Sequence, residues 1–220
     1  MHKINFIDLG SKDYKETWDY QEELLSQIQA PEAGIAGHLI FVEHPHVFTL
    51  GKSGDERNLL INEKLLATRG ASFYKTNRGG DITYHGPGQV VGYPILHLGR
   101  LDIGIRRYIE KLEETIIRTL SHYGIEAGRL EGASGVWLDS EKKTARKICA
   151  IGVRASRQVT MHGFAFNVNT DLSFYQLINP CGFVDKGVTS LQKEMGFALD
   201  LKQLKAVLLK EFCVVFGASI

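Results

Sequence analysis

Apolar side chains at Ile105, Ile109, Leu112, Ile116 and Leu120 recur every three or four positions. That spacing lays a stripe along one side of an α-helix. It predicts a helix that packs on a sheet and stops near Gly124. Tyr14 to Gln29 reads as a second helix, with Trp18, Glu22 and Leu25 about one face and acidic residues on the other, ended by Pro31 and Gly34. Leu201 to Phe216 is a last amphipathic helix. Asn62 can cap a short one through Ala67, with Gly70 after it. Elsewhere the pattern is that of strands. Ile4 to Leu9 alternates, and His38 to Leu50 is β-rich but interrupted at Pro45, which implies an edge, bulge or loop there. Ala71 to Thr76, Gln89 to Leu98, Val136 to Leu138, Ala145 to Val153 and Val159 to Val168 follow, with turns at Asp139-Ser140 and Ser156-Arg157 and helical turns at Leu172 to Ile178 and Leu191. Strands through the middle with helices around them predict an α/β (α+β) fold, a mixed β-sheet flanked by helices.

Composition adds bounds. The chain has 220 residues, is 44% hydrophobic and 23% charged, and carries a net charge of +1. One large domain with a substantial core is expected over 1–220. A near-neutral chain has no electrostatic footprint for nucleic acid. No run of 18 apolar residues exists to span a membrane, and the first residues lack a signal-peptide core, so a cytoplasmic location is expected. The three cysteines, Cys149, Cys181 and Cys213, are too scattered for a disulfide frame or a Cys-x-x-Cys metal site. No apolar heptad stands out, so a monomer is expected.

The densest polar segment is Arg78 to Tyr93, Arg-Gly-Gly-Asp-Ile-Thr-Tyr-His-Gly-Pro-Gly-Gln-Val-Val-Gly-Tyr, with five glycines in sixteen residues. Gly79-Gly80 and Gly86-Pro87-Gly88 permit positive φ and close approach of backbone to a bound group. Asp81 to His85 between them reads as a short extended piece. Glycines alone fit a wide hairpin, but Arg78, Thr83, Tyr84, His85 and Gln89 crowded among them favour a binding segment. Two nucleotide motifs fail. Gly51-Lys52-Ser53 has His46 where a phosphate loop needs its first glycine, and GGDITYHGPG is not the dinucleotide pattern.

His44, His46, His85, His97 and His162 have no closed-site metal spacing, so no metal is expected; His85 and His162 could line a pocket. Cys149, alternating with Lys147, Ile151 and Val153, and Cys213, beside Phe212 and Val214, sit in packing contexts. Cys181, between Pro180 and Gly182, sits in a turn that can present its sulfur. A nucleophilic cysteine must be a thiolate, which requires a nearby cation or base. Lys147, opening an apolar strand, can supply it, or can simply mark the strand's exposed end.

Three segments, RGGDITYHGPGQVVGYP, KICAIGVRASRQVTMHGFAFNV and INPCGF, in this order and spacing, resemble the lipoyl(octanoyl) transferases of lipoate biosynthesis. EHPHVFTLGK, SGVWL and Val188 to Leu191 extend the likeness over nearly the whole chain. Only Cys149 departs, where a small residue such as alanine is more usual. The resemblance implies a biotin/lipoate protein ligase-like fold and transfer of an octanoyl group from octanoyl-acyl carrier protein to a lysine of an apo lipoyl domain. Acceptors would be the lipoyl domains of 2-oxoacid dehydrogenase complexes and the glycine cleavage H protein. It implies Cys181 as acyl-thioester nucleophile and Lys147 as the lysine that lowers its pKa, with no cofactor. Arg78, Gly79, Gly80, Asp81, Ile82, Thr83, Tyr84 and His85 would bind substrate, as would Ala150, Ile151 and Gly152 and then Gly163, Phe164 and Ala165.

Two other readings stay open on sequence: an ATP-dependent lipoate or biotin ligase of the same fold, and a non-catalytic acyl- or carrier-binding module. Because such carrier proteins are generally acidic, Lys142, Lys143, Arg146, Arg154 and Arg157 are expected to form a basic rim, or else an ordinary solvated face.

Overall fold

A computed structural model of the chain describes residues 1–30, 34–179 and 186–220. In chain order the elements are β1 (His2–Ser11), α1 (Tyr14–Gln29), β2 (Gly37–Glu43), β3 (Val47–Leu50), α2 (Glu63–Thr68), β4 (Ser72–Lys75), β5 (Ile82–His85) and β6 (Gln89–Leu96). After them come α3 (Ile105–Ser121), β7 (Gly128–Leu130), β8 (Ala133–Leu138), β9 (Arg146–Ser156), β10 (Val159–Asn167), β11 (Gly187–Val188), α4 (Leu191–Met195), α5 (Leu201–Phe216) and β12 (Ala218–Ser219). Short 3-10 segments cover Glu56–Asn58 and Leu172–Leu177. Asn62 caps α2 as expected, accepting from Leu65 N–H, while Asp13 accepts from Lys15 and Glu16 N–H at the start of α1 and Asp200 from Lys202 and Gln203 N–H at the start of α5.

The described strands form a nine-stranded mixed sheet ordered β12-β1-β2-β6-β10-β9-β8-β7, with β11 added beside β9. A separate three-stranded sheet runs β4-β3-β5. The fold is therefore a mixed sheet flanked by helices. On one face, α3 and α5 cover Leu39, Phe41, Phe164 and Phe166. On the other, α1 packs Leu24, Leu25 and Ile28 on Val91, Tyr93 and Met161. The buried face of α1 is Tyr14, Thr17, Gln21, Leu24, Leu25 and Ile28, so Trp18 and Glu22 lie on its flank rather than at its centre. In α3 the buried stripe includes Tyr108, Leu112, Ile116 and Leu120, and Ile105 is exposed. The stripe keeps Leu112, Ile116 and Leu120, but at its start Tyr108 is fully buried in the core while Ile109 is only partly buried.

Pro45 does more than interrupt a strand. β2 pairs with β1 and β6 in the large sheet, whereas β3 pairs with β4 and β5 in the small one. The chain crosses back at the glycine-rich stretch, where β5 ends in the small sheet and β6 begins in the large. A hairpin is thereby excluded, since β5 and β6 do not pair. Of the stretch's glycines, Gly80 and Gly88 take positive φ, at 85° and 78°. Gly92 has another use: a Cβ there would fall 2.1 Å from the Phe164 ring.

Candidate active site

A cavity of about 640 Å³ lies where the two sheets meet. Its floor is made of small residues facing each other across β9 and β10, where Ala150 pairs with Ala165 and Gly152 with Gly163. No larger side chain rises from these positions, and this is what leaves room between the layers. A Cβ on Gly163 would strike the Gly92 carbonyl oxygen at 2.1 Å, and one on Gly152 would meet Gly79 O at 2.9 Å and Arg78 Cδ and Nη1 at 3.2 Å.

The Arg78–Asp81 loop closes over this floor. Gly79 N–H donates to Val153 O at 2.9 Å, so the loop is stitched to the free edge of β9. Arg78 is buried, and its guanidinium donates to the carbonyls of Thr49 (2.6 Å), Gly79 (2.9 Å) and Asp81 (2.7 Å) and to Thr49 Oγ1. It shapes the loop from within and puts a fixed positive charge at the cavity. The N–H groups of Gly51, Lys52 and Ser53 donate to Asp81, Arg78 and Gly80 carbonyls, so that segment braces the loop and has no amides left to cradle phosphate.

His85 and Gln89 explain the polar residues around the Gly86–Gly88 turn. His85 Nδ1–H donates to Gln89 Oε1 at 2.9 Å, and Thr49 Oγ1–H reaches His85 Nε2 at 3.3 Å. Gln89 Nε2 donates in turn to Tyr84 O, Asn167 Oδ1 and the Tyr175 hydroxyl. Burial holds His85 neutral, its pKa well below the usual imidazole value, with His44 and Arg78 adding in the same direction. His162 turns toward Trp18 and Tyr93 from a left-handed backbone position (φ 56°), and Nε2–H donates to Asn77 Oδ1 at 2.7 Å. Burial, then Arg78 and Arg154, lower its pKa to about 3. Tyr14 is pushed up to about 12 by burial against the opposing pull of Arg78. The polar end of the cavity is thus built from neutral rings around one buried guanidinium.

Of the segments expected to bind substrate, Arg78 through Thr83, His85, Ala150 through Gly152 and Gly163 through Ala165 all line this cavity. Tyr84 does not. In β5 it points away from the cavity into the core of the small sheet, stacked on Phe174 with its hydroxyl 2.7 Å from His46 Nδ1. Lys147 lines the cavity, with Nζ 4.7 Å from the centre of the Trp137 ring. It does not share a face with Cys149. The β8 pairing skips Ile148, and both Ile148 and Cys149 are buried in the core beneath α3 and α5. Burial raises the Cys149 thiol far above its ordinary value, so it is a packed residue; Cys213 is half-buried and its thiol is also raised. Cys181 falls at 180–185, outside the described residues. Its downstream flank, Lys186 to Val188, lines the cavity, and Val188 pairs with Lys147 itself.

Sequence reasoning missed Tyr14, Asn167 and Tyr175 as cavity residues, since a single polar residue in a helix, strand or turn carries no periodic signal. Between a basic rim and an ordinary solvated face, both left open on sequence, the ion pairs bear on three of the cations. Lys142 pairs with Asp139, Arg146 with Asp139 and Glu194, and Arg154 with Glu22. Three of the five expected cations are therefore balanced. Among the described residues, no group of three His, Cys, Asp or Glu side chains is brought together as a metal site. No helix among them is long and apolar enough to cross a membrane.

A sequence model of the lipoyl protein ligase A/B catalytic domain matches residues 13–213. The chain belongs to this family. It is 54% identical to an octanoyltransferase of Flavobacterium johnsoniae over 99% of this chain and 98% of that one. A Parabacteroides distasonis octanoyltransferase is 53% identical over 99% of this chain and 100% of its own length. Among solved structures, a bipartite lipoate protein ligase of Thermoplasma acidophilum superposes with a TM-score of 0.73 at 14% identity, covering 100% of this chain and 86% of that one. An Aquifex aeolicus biotin protein ligase gives 0.53 at 13% identity, over 99% and 70%. At such identities the likeness is one of fold, and it places this family member in the biotin/lipoate protein ligase-like architecture.

Proposed function

We propose that this chain is an octanoyltransferase acting as one catalytic domain, with an acyl carrier protein as donor and lipoyl domains as acceptors. It is an acyltransferase of protein lipoylation. The observation that carries the reading is the cavity: a small-residue floor beside Lys147, in a chain more than half identical to octanoyltransferases along its length. The Cys181 thiolate attacks the carbonyl carbon of the octanoyl thioester. A carbon–sulfur bond to Cys181 forms, the bond to the carrier's pantetheine sulfur breaks, and that sulfur leaves with a proton. Thioester exchange is nearly balanced, so the step needs no nucleotide. The ε-amine of the acceptor lysine then attacks the acyl-Cys181; a carbon–nitrogen bond forms, the thiolate of Cys181 leaves, and the amine proton departs. Lys147 is the cation that favours the resting thiolate and relays these protons. Arg78 and the floor glycines shape the segment against which the acyl group is held. The donor is octanoyl-acyl carrier protein, the acceptors are apo domains of 2-oxoacid dehydrogenase complexes and glycine cleavage H protein, and the working unit is a monomer in the cytoplasm.

The test is incubation with octanoyl-carrier protein in the absence of ATP, followed by intact mass. An octanoyl adduct that Cys181→Ser abolishes and Lys147→Ala strongly depresses is the expected result. Transfer that requires ATP, with Cys181 dispensable, would mean a ligase. Tight binding with no adduct would mean a carrier-binding module. Normal turnover in either variant removes the role given to that residue.

A further inference from the structure

Trp137 and Lys147 stand directly opposite each other on β8 and β9. Trp137 is only 2% exposed, and its ring lies 4.7 Å from Lys147 Nζ, well inside the range in which an aromatic quadrupole attracts a cation. The ring is not loose, because Nε1–H donates to Ala133 O at 3.3 Å. The stem of Lys147 is placed as well. Gly135, at φ 122°, leaves a gap that a Cβ would fill, 3.5 Å from both Cδ and Cε of Lys147 and 2.5 Å from Cys149 O. Gly135 N–H donates to Glu113 Oε1 at 3.1 Å, which ties this part of β8 to α3. β8 thus offers a groove for the methylenes and an aromatic face for the ammonium, two contacts aimed at one side chain.

We propose that Trp137 is a positioning residue for Lys147, holding its head at the cavity wall and favouring the ammonium form. The proposal rests on the reading of Lys147 given above, and it adds what sets that lysine's place and charge. An ammonium facing partly apolar walls has lost water, and the negative face of an indole replaces part of what was lost. A ring with less electron density should release the Lys147 proton at lower pH, by about 0.5 to 1.5 units for a contact of this kind. The order expected is Trp, then Phe, then Leu.

The experiment is a ¹³C-Cε NMR titration of Lys147 in the intact chain, its signal assigned by loss in Lys147→Ala. Fluorinated tryptophans with increasing fluorine number replace Trp137 without changing its shape, on a Trp18→Phe background so that only one indole is altered. Trp137→Phe and Trp137→Leu complete the series. A graded fall of the titration midpoint is expected. In single-turnover acyl-Cys181 formation, the high-pH limb should fall with it while the low-pH limb stays. An unchanged midpoint across the fluorinated series overturns the inference, even where Trp137→Leu fails to fold. A shifted midpoint, with acylation indifferent to Lys147→Ala, would keep the contact and refute the assigned role of Lys147 instead.

Discussion

Adding one methyl group at Gly152 tests whether the cavity depends on the loop lying flat on β9. The Cβ of Gly152→Ala would sit 2.9 Å from Gly79 O and 3.2 Å from two atoms of Arg78. The first is backbone, and the second belongs to a side chain locked by donation to three carbonyls, so neither yields cheaply. Overpacking of this kind typically costs about 1–3 kcal/mol. Losing the Gly79 N–H to Val153 O bond adds about 0.5–1.5 kcal/mol, and the lower entropy of alanine in the unfolded chain returns about 0.4–1 kcal/mol. The net is about 0.5–4 kcal/mol, or about 0.25–2 M off a urea midpoint at a slope near 2 kcal/mol/M. Where the loop relieves the clash by moving, the effect passes to the chemistry, and a displacement of about 1 Å can lower rates about a hundredfold. Urea unfolding and single-turnover acylation are read on the same preparation, with Gly34→Ala as control because nothing lies within 4 Å of a Cβ there. A midpoint within about 0.2 M of the parent together with acylation within about twofold would refute the reasoning.

Arg78→Lys keeps a charge but cannot reach the carbonyls of Thr49, Gly79 and Asp81 together; a loss of about 2–4 kcal/mol is expected, read as a lowered denaturant midpoint with weakened acylation. Stability should also depend on pH through His44, His85 and His162. Burial lowers all three below their unfolded pKa of about 6.5, with His44 at about 4 and His162 at about 3. The unfolded chain therefore binds more protons below that value. The stability they leave intact near neutrality is lost as pH falls from about 6.5 toward 4, at up to about 4 kcal/mol per unit for three such groups. Urea midpoints at pH 7 and pH 5 check this, and a flat profile would contradict it. Tyr84→Phe removes the hydroxyl bonded to His46 Nδ1, and a fall in Tm of about 2–4 °C is expected by scanning calorimetry.

Local patterns carried much of this protein. The helix stripes, the cap at Asn62 and the strand cores are properties of neighbouring residues, so spacing alone reveals them. The glycine-rich stretch stood out in the sequence because its polar residues exceed what a turn needs, and from Arg78 to His85 all but Tyr84 lie at the cavity wall; whether they bind substrate is part of the proposal. What no window of sequence contains is which strand meets which. The crossing from one sheet to the other at Pro45 and back at Gly86 depends on pairings that local propensity does not encode. The skipped Ile148, which separates Lys147 from Cys149 and sets it on Trp137, is decided by the register of β8 on β9. The basic rim shows the same limit from the other side. Arg146 finds Glu194 at a separation of 48 residues and Arg154 finds Glu22 at 132, so charges that look unbalanced along the chain are neutralised by partners only folding brings near. Composition and periodicity determined which residues seek a core and which element each can form; the tertiary structure alone decided which faces meet, because burial and pairing reward contact in space whatever the distance along the chain.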